Sequence, residues 1–366
     1  MSRVTISVSP NPYEAIIEAG LIERAGARLG EVLGGRERLF VVTVAPVRRK
    51  WGKKLMASLS ARGFTAQWAE MPDGERGKKL AAVEQLAEKM VKLGADRDSV
   101  VVAFGGGVAG DVAGLLASLY MRGVDVVQIP TTVLAQVDAA IGGKTGVNLR
   151  AGKNLLGTFL QPRLVLIDPE ILSTLPEREF RAGLYEVLKC GVIGNPELFD
   201  RLEKMEVLKL RRDPVALEWF ITEAVKLKAE IVAADEREGG LRRVLNLGHT
   251  VGHALEAASE YRGFLHGEAV GWGMIAAAHI SCAMSRCNEQ SARRITEAVL
   301  GIGPLPKVEV RGGEIVKIIR RDKKSRKGLV HFVLPREIGK VEIVADVPDD
   351  LVVAAVDEIK RLSRNQ

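Results

Sequence analysis

The sequence predicts an α/β N-terminal domain built on a parallel sheet, followed by a mainly α-helical C-terminal domain. Over residues 1–172, short β-branched runs alternate with stretches of helical periodicity, which is typical of a parallel sheet with helices on both faces. Over residues 173–366 the helical pattern predominates, so we place the domain boundary at 172. A chain of 366 residues is also longer than a single ordinary hydrophobic core requires.

Each predicted element has its own signature. Continuous apolar runs predict buried strands, and apolar residues three and four positions apart predict helices. In the first half the predicted strands are 39–43, 63–69, 99–104, 125–129 and 164–167, and a helix is predicted at 78–93. In the second half the predicted helices are 182–192, 217–234, 268–286 and 348–362, and two short strands are predicted at 329–334 and 340–344.

Composition and charge exclude several classes of protein. The apolar runs are shorter than the roughly 20 residues that span a bilayer, and the N-terminus has no apolar signal core. The three cysteines show no C-x-x-C spacing, so we expect a cytoplasmic protein. The net charge of +7 is scattered among acidic residues, which favours a small phosphorylated or carboxylated substrate over nucleic acid.

A glycine loop follows the predicted strand 99–104. Residues 105–111, G-G-G-V-A-G-D, satisfy the G-x-G-x-x-G pattern immediately before an apparent helix. Glycine lets the backbone approach a pyrophosphate, and the helix N-terminus favours its charge, so the loop predicts nucleotide binding. The simpler alternative is an ordinary strand-to-helix turn. Asp125 precedes its strand, so the usual acidic residue after the next strand is missing.

A second polar segment runs from Thr131 to Asn154. Its G-G-K-T at 142–145 resembles the end of a P-loop, but Asp138 stands where the leading glycine belongs, which argues against ATP. The segment still carries more threonine, lysine and asparagine than a turn needs. A solvated surface loop is the alternative.

Three of the five histidines lie close together in the sequence, in N-L-G-H-T-V-G-H and F-L-H-G-E. His249 and His253 are four residues apart and would share one helix face, together with Arg242 and Asn246 if that region is helical. Glu186, three residues before Lys189 on an apolar helix, is our candidate for a carboxylate that joins them around a divalent metal. The alternatives are a helix cap with surface histidines and a surface ion pair.

Longer motifs resemble the 3-dehydroquinate synthase family of sugar phosphate cyclases. They include P-D-G-E-R-G-K, G-G-G-V-A-G-D, Y-M-R-G, P-T-T-V-L-A-Q-V-D, G-K-N-L-L-G, G-L-Y-E-V-L-K, N-L-G-H-T-V-G-H and L-H-G-E-A-V, in this order between Pro72 and Lys324. The resemblance implies a homodimer, bound NAD and one divalent metal, zinc or cobalt. It also implies a lyase of the shikimate pathway that converts 3-deoxy-D-arabino-heptulosonate 7-phosphate into 3-dehydroquinate and phosphate. The implied steps are transient oxidation by NAD, β-elimination, reduction, ring opening and aldol closure.

The resemblance also assigns roles to residues. Glu186, His249 and His266 match the metal ligands. The matching NAD positions are Glu75, Lys78, Gly105, Gly106, Gly107, Val108, Asp111, Thr131, Thr132, Asp138, Lys144 and Lys153. The matching substrate positions are Arg122, Asp138, Lys144, Asn154, Lys189, Lys228, Arg242, Asn246, His253, Lys323 and Lys324, and Lys144, Asn154, Lys189, Arg242, Asn246 and His253 are expected to be catalytic.

One departure and two alternatives accompany the resemblance. After the first predicted strand the family commonly has T-D-x-N, whereas this chain has Thr43-Val44-Ala45-Pro46, so we expect different or weaker contacts to the adenosine end of NAD. A related cyclitol synthase acting on another sugar phosphate is one alternative. A metal-dependent polyol dehydrogenase is the other.

Overall fold

The structure is a computed structural model that describes residues 1–325, 330–345 and 347–365, and the side chains of 1–321, 330–345 and 347–365. Its contacts group the chain into two compact units. The first unit is Met1–Pro176 with Arg211–Arg237, and the second is Glu177–Leu210 with Glu238–Gln366. None of the helices in the described ranges combines the length and the apolarity that crossing a bilayer would require.

The strands of the first unit are β1 (Ser2–Ile6), β2 (Tyr13–Ile17), β3 (Arg38–Thr43), β4 (Thr65–Glu70), β5 (Val100–Gly105), β6 (Asp125–Pro130), β7 (Lys144–Leu149), β8 (Gly152–Phe159) and β9 (Leu164–Ile167). Its helices are α1 (Ala25–Val32), α2 (Ala45–Ser60), α3 (Leu80–Lys92), α4 (Gly107–Leu119) and, beyond part of the second unit, α8 (Pro214–Ala234). The second unit has the helices α5 (Glu177–Gly194), α6 (Pro196–Glu203), α7 (Val207–Leu210), α9 (His249–Ala258), α10 (His266–Ala283), α11 (Glu289–Ile302), α12 (Gly312–Ser325) and α13 (Asp349–Ser363), with the strand pair β10 (His331–Glu337) and β11 (Lys340–Ala345).

The main sheet of the first unit has the strand order β1-β2-β9-β6-β5-β3-β4. All neighbouring strands in this order pair in parallel except β1 and β2, which form an antiparallel hairpin. From β3 the chain moves outward to β4 and then returns to the other side of β3 at β5. The carboxyl ends of β3 and β5 therefore flank the topological switch point, where open α/β sheets bind ligands.

Successive side chains of the central strands point to alternate faces of this sheet and form a hydrophobic core on each face. Val41 and Val102 contribute to the cluster under α1 and α2, whereas Val42 and Val101 contribute to the cluster under α3 and α4. Successive side chains of a strand point to opposite faces, so an uninterrupted apolar run is required when both faces are covered. The prediction of a parallel α/β domain followed by a mainly helical part is confirmed.

The second unit is organised around α10, which is buried over most of its length. This helix packs against α5, α9, α11 and α13. Two glycines permit the closest approaches. A Cβ at Gly267 would lie 1.8 Å from the carbonyl oxygen of Ala182 on α5, and one at Gly273 would lie 1.8 Å from the carbonyl oxygen of Gly248.

Two sequence-based expectations differ from this structure, and a third falls partly outside the described residues. A single boundary at 172 assigns residues 211–237 to the second domain, whereas α8 belongs to the first unit because it packs against β1, β2 and the segment Ala135–Ala139. The continuous helical face from Arg242 to His253 is also wrong. Leu241–Asn246 is a 3-10 turn, and Gly248, at φ +81°, separates it from α9. The first residue of the predicted strand 329–334 lies outside the described residues.

Candidate functional site

The glycine loop leaves β5 at the switch point and starts α4. Gly106 precedes the helix, and a Cβ there would lie 3.1 Å from Cγ2 of Thr132. A Cβ at Gly105 would lie 2.6 Å from Cβ of Ala109, and the carbonyl of Gly105 accepts a hydrogen bond from the amide of Thr131 at 2.9 Å. The loop and the Thr131–Thr132 pair are therefore neighbours, and small residues keep open a cradle of backbone amides suited to phosphate.

A network of polar side chains lies in the same unit. Lys78, only 5% exposed, bonds to the carboxylate of Asp111 and to the side-chain oxygen of Asn154. Asn148 donates to Oε1 of Glu75 at 2.7 Å and accepts a hydrogen bond from the backbone of Asn154 at 2.9 Å. Burial raises the pKa of the Asp111 carboxyl, which the Lys78 ammonium opposes. The predicted substrate residue Asn154 thus meets the predicted cofactor residue Lys78 directly and is linked to Asp111 through that lysine. It is linked to Glu75 through Asn148, which sequence reasoning did not single out.

Lys228, on α8, forms a second polar contact in the first unit. Its ammonium donates to the backbone carbonyl of Asp138 at 2.6 Å and forms an ion pair with the same residue's carboxylate. Lys228 is 5% exposed, so its charge is held largely out of water. The predicted substrate residue Lys228 is therefore buried and paired with the predicted pocket residue Asp138, whose side chain is 30% exposed.

The departure from T-D-x-N also lies at the switch point. Thr43 ends β3, Val44 precedes α2, and Pro46 stands in the first turn of that helix. Neither Val44 nor Pro46 offers a side-chain hydrogen bond, so this end of the crevice has fewer polar groups than the family pattern would supply.

In the second unit, three imidazole rings form a compact cluster. The ring centroids of His249 lie 5.1 Å from His253 and 5.2 Å from His266, and those of His253 and His266 are 5.7 Å apart. One nitrogen from each ring lies within 4.8 Å of the others. His253 is exposed, whereas His249 and His266 are partly buried, so His253 is on the solvent side of the cluster.

Glu186 lies beneath these rings on α5. Its Oε1 is 3.7 Å from Nε2 of His266 and 3.9 Å from Nε2 of His249, and it accepts no hydrogen bond from the described residues. Oε2 forms an ion pair with Lys189, and the two side chains are only 1% and 2% exposed. The alternative of a surface ion pair is therefore wrong, because both charges are buried.

Buried contacts prepare His249 to act as a ligand. Burial, and next the positive charge of Lys189, lower the pKa of the His249 imidazole well below its ordinary value, so the ring is neutral at pH 7. Nδ1 lies 3.1 Å from the carbonyl oxygen of Leu247. A carbonyl only accepts, so Nδ1 carries the proton and Nε2 presents its lone pair toward Glu186.

His266 is the first residue of α10, whose N-terminus is anchored to α5. Arg178 donates to the two oxygens of Glu268 at 2.6 Å and 2.8 Å. One of those oxygens also accepts a hydrogen bond from the amide of Leu265 at 2.7 Å. Because α5 also carries Glu186, this pair ties the helix of one candidate ligand to the helix of another.

The other predicted residues have varied surroundings. Arg242 is buried in the turn Leu241–Asn246, which packs against α5, and Asn246 donates to Glu238 at 2.9 Å. Arg122, at φ +70°, is exposed in a strained turn of the first unit. Lys144 is exposed on β7, and Lys153 is half-buried on β8. The side chains of Lys323 and Lys324 lie outside the described part of the structure.

Comparisons with known proteins show the family of this chain. Residues 68–182 match the family described as 3-dehydroquinate synthase N-terminal, and residues 183–325 match 3-dehydroquinate synthase C-terminal. A 3-dehydroquinate synthase from Koribacter versatilis (strain Ellin345) is 54% identical over 363 residues, covering 99% of each chain. The chain therefore belongs to the 3-dehydroquinate synthase family.

Two solved structures share the whole fold. One is ValA, a 2-epi-5-epi-valiolone synthase from Streptomyces hygroscopicus subsp. jinggangensis 5008 with NAD+ and Zn2+ bound. It has a TM-score of 0.89 at 32% identity, covering 97% of this chain and 98% of that one. The other is a 2-deoxy-scyllo-inosose synthase complexed with carbaglucose-6-phosphate, NAD+ and Co2+. It has a TM-score of 0.84 at 26% identity, covering 98% and 99%.

Proposed function

We propose that this chain is a phosphate-eliminating lyase that converts 3-deoxy-D-arabino-heptulosonate 7-phosphate into 3-dehydroquinate and phosphate. The observation that carries the proposal is the buried Glu186 carboxylate facing two imidazole nitrogens, in a chain 54% identical to a 3-dehydroquinate synthase over nearly its whole length. The proposal includes NAD, one zinc or cobalt ion, and a cytoplasmic homodimer, carried over from the family.

The donor set of Glu186, His249 and His266 fits a divalent cation. Ligands about 2.1 Å from a tetrahedral ion lie about 3.4 Å apart, and the Glu186 Oε1 to Nε2 separations of 3.7 Å and 3.9 Å are close to that value. A cation there would also satisfy the Glu186 oxygen that accepts no hydrogen bond from the described residues. Two nitrogens and one carboxylate leave positions open for substrate oxygens, as in a catalytic site.

The proposed substrate carries a carboxylate and a phosphate, and this chain has cationic groups to bind them. Lys189 and Arg242 in the second unit, and Lys228 in the first, are each 5% exposed or less. Buried cations interact strongly with anions because little water screens them. We assign these side chains to binding and orienting the sugar acid phosphate, together with Asn154, Asn246 and His253.

The glycine loop is assigned to NAD. Its small residues keep backbone amides accessible at the start of α4, and Thr131 and Thr132 border the same cradle. When bound, the metal supplies Lewis acidity at neighbouring substrate oxygens, and NAD supplies reversible hydride transfer. The residues of the chain hold these groups and the substrate and exclude water.

The proposal is tested by incubating purified protein with the heptulosonate phosphate, NAD and zinc. We expect phosphate and the cyclic product in equal amounts, with no net accumulation of NADH, because the hydride is returned within each turnover. Activity that survives complete removal of the metal by a chelator would contradict the proposed role of the cluster.

The same assay separates the alternatives. A cyclitol synthase would release phosphate from glucose 6-phosphate and not from the heptulosonate. A polyol dehydrogenase would accumulate NADH with a simple polyol. Sedimentation of the purified protein tests the homodimer, and a monomer that is fully active would exclude it.

A further inference from the structure

The imidazole of His266 stands between two buried carboxylates. Its Nε2 lies 3.7 Å from Oε1 of Glu186, and its Nδ1 lies 3.4 Å from Oε2 of Glu256. The side chains of Glu186 and Glu256 are 1% and 2% exposed. Glu256 matches none of the family positions assigned to metal, cofactor or substrate above.

The position of Glu256 is unfavourable unless a partner compensates for it. It lies in the last turn of α9, where the partial negative charge of the helix end repels a carboxylate. Its burial removes the water that would otherwise solvate the charge. The nearby ring nitrogen of His266 offers that carboxylate an N–H donor.

The proton arrangement of His266 follows from these contacts. A neutral imidazole has one N–H donor and one acceptor nitrogen, and an ionised carboxylate only accepts. A hydrogen bond to Glu256 therefore places the proton on Nδ1 and leaves the lone pair of Nε2 toward Glu186. His249 reaches the same tautomer by a different route, through the carbonyl oxygen of Leu247 at 3.1 Å from its Nδ1.

We propose that Glu256 is a positioning residue that fixes the tautomer and ring orientation of His266 for metal binding. Glu256 lies on the Nδ1 edge of the ring and Glu186 faces the Nε2 edge, so Glu256 acts through the imidazole and is not itself a ligand of the same ion. A carboxylate behind a ligand histidine also raises the basicity of the ring. The inference rests on the proposed metal site at Glu186, His249 and His266.

The test compares zinc and cobalt affinity in three variants stripped of metal, measured by competition with a chromophoric chelator. E256A removes the carboxylate, and E256Q keeps its volume without its charge. E260Q is the matched control, because Glu260 is exposed and lies four residues further along the chain. We expect about 100-fold weaker zinc binding in E256A, about 10-fold in E256Q and no change in E260Q.

Two further measurements distinguish positioning from general structure. Thermal unfolding of the metal-free proteins reports whether each variant folds, and E256Q keeps the test informative if E256A does not. In 15N-histidine-labelled metal-free protein, with His266→Gln used for assignment, we expect Nδ1 of His266 to carry the proton in the wild type and to lose that preference in E256A. The ligand-field spectrum of bound cobalt should change in E256Q.

The possible results separate this inference from the proposed function. Zinc binding within twofold of wild type in both Glu256 variants, with an unchanged His266 tautomer, would overturn the inference and leave the function intact. Dependence of metal affinity on Glu256 without cyclisation of the sugar phosphate would support the inference and refute the function. A wild-type protein that binds no zinc would refute both.

Discussion

At the scale of single residues, the histidine cluster contains more candidate ligands than one catalytic ion needs. The three rings satisfy the distance requirement for a shared ion, and Oε1 of Glu186 lies 3.9 Å from Nε2 of His249 and 3.7 Å from Nε2 of His266. His253 differs in being exposed. From this exposure we predict that His253 contacts substrate and not metal.

Substitution of the histidines tests this division. We expect His249→Gln to weaken zinc binding at least about 100-fold, because it removes a ligand, and His253→Gln to change it by less than about threefold while lowering turnover. Chelator competition and steady-state kinetics on the same preparations measure both effects. Equal loss of zinc in the two variants would instead support a three-histidine site.

The Glu186–Lys189 pair is the second feature at this scale. Both side chains are buried, so removing one partner leaves an uncompensated charge. We expect K189M to destabilise the metal-free protein by about 3 kcal/mol, and bound zinc to recover part of that loss by neutralising Glu186. Urea unfolding with and without zinc measures the difference.

An exposed pair on the same unit provides the control. Arg201 and Glu197 are spaced i,i+4, with side chains 54% and 65% exposed. R201M should change the free energy of unfolding by no more than about 0.5 kcal/mol, since water screens this pair. Similar losses of unfolding free energy in R201M and K189M would show that burial does not determine the contribution of the Glu186–Lys189 pair to stability.

At the scale of elements, the site depends on how closely α5 and α10 approach. Gly267 follows His266 directly and leaves no room for a Cβ against the backbone of Ala182 on α5. Glu186 is one helical turn further along α5 from Ala182, so the spacing of these two helices sets the distance between Glu186 and His266. The glycine thus serves the metal site through packing and not through chemistry.

Gly267→Ala should therefore lower both stability and zinc affinity. Overpacking against a backbone atom costs about 1–3 kcal/mol or more, and any separation of the helices moves His266 away from Glu186. Gly301→Ala on α11 is the matched control, because a Cβ there meets no atom within 4 Å. That control should be neutral or gain up to about 1 kcal/mol from helix propensity. Unchanged zinc affinity in a folded Gly267→Ala protein would refute the coupling.

At the scale of the whole molecule, the chain leaves the first unit and later returns to it. Helix α8 packs against β1 and against the segment Ala135–Ala139, and its Glu218 forms an ion pair with the N-terminal amine at 3.0 Å. A fragment that stops at 176 would therefore expose the apolar surface that α8 covers. The boundaries of a stable fragment of this protein should therefore follow the compact units and not a single cut in the sequence.

This arrangement predicts the behaviour of fragments. We expect fragment 1–176 alone to unfold without cooperativity or to aggregate, and a peptide of residues 211–237 added in trans to restore a cooperative transition. A peptide of the same composition in scrambled order is the control. Thermal unfolding followed by circular dichroism measures the transition, and a fully cooperative isolated fragment would contradict the assignment of α8.

The local features of the fold could be predicted without coordinates. Uninterrupted apolar runs identified the parallel strands near 39–43 and 99–104, because burial on both faces removes polar alternation. The glycine run correctly indicated a close-packed turn between β5 and α4, because only small residues permit close approach of a backbone, and its binding of phosphate stays a prediction. The β1–β2 hairpin and the helices α1 and α2 were not anticipated. The hairpin strands and α1 are short, and the early part of the 16-residue α2 is rich in lysine and arginine.

The sequence by itself determined which chemical groups the chain has: the imidazoles, the acidic residue on an apolar helix and the glycine loop. The tertiary structure decided which of them meet. Only the structure showed the contacts of Glu256 and Asn148, and only the structure assigned α8 to the first unit. The physical reason is range. Periodicity and turn chemistry act over a few residues, whereas the contact of Glu256 with His266, or of Lys228 with Asp138, depends on how distant elements pack.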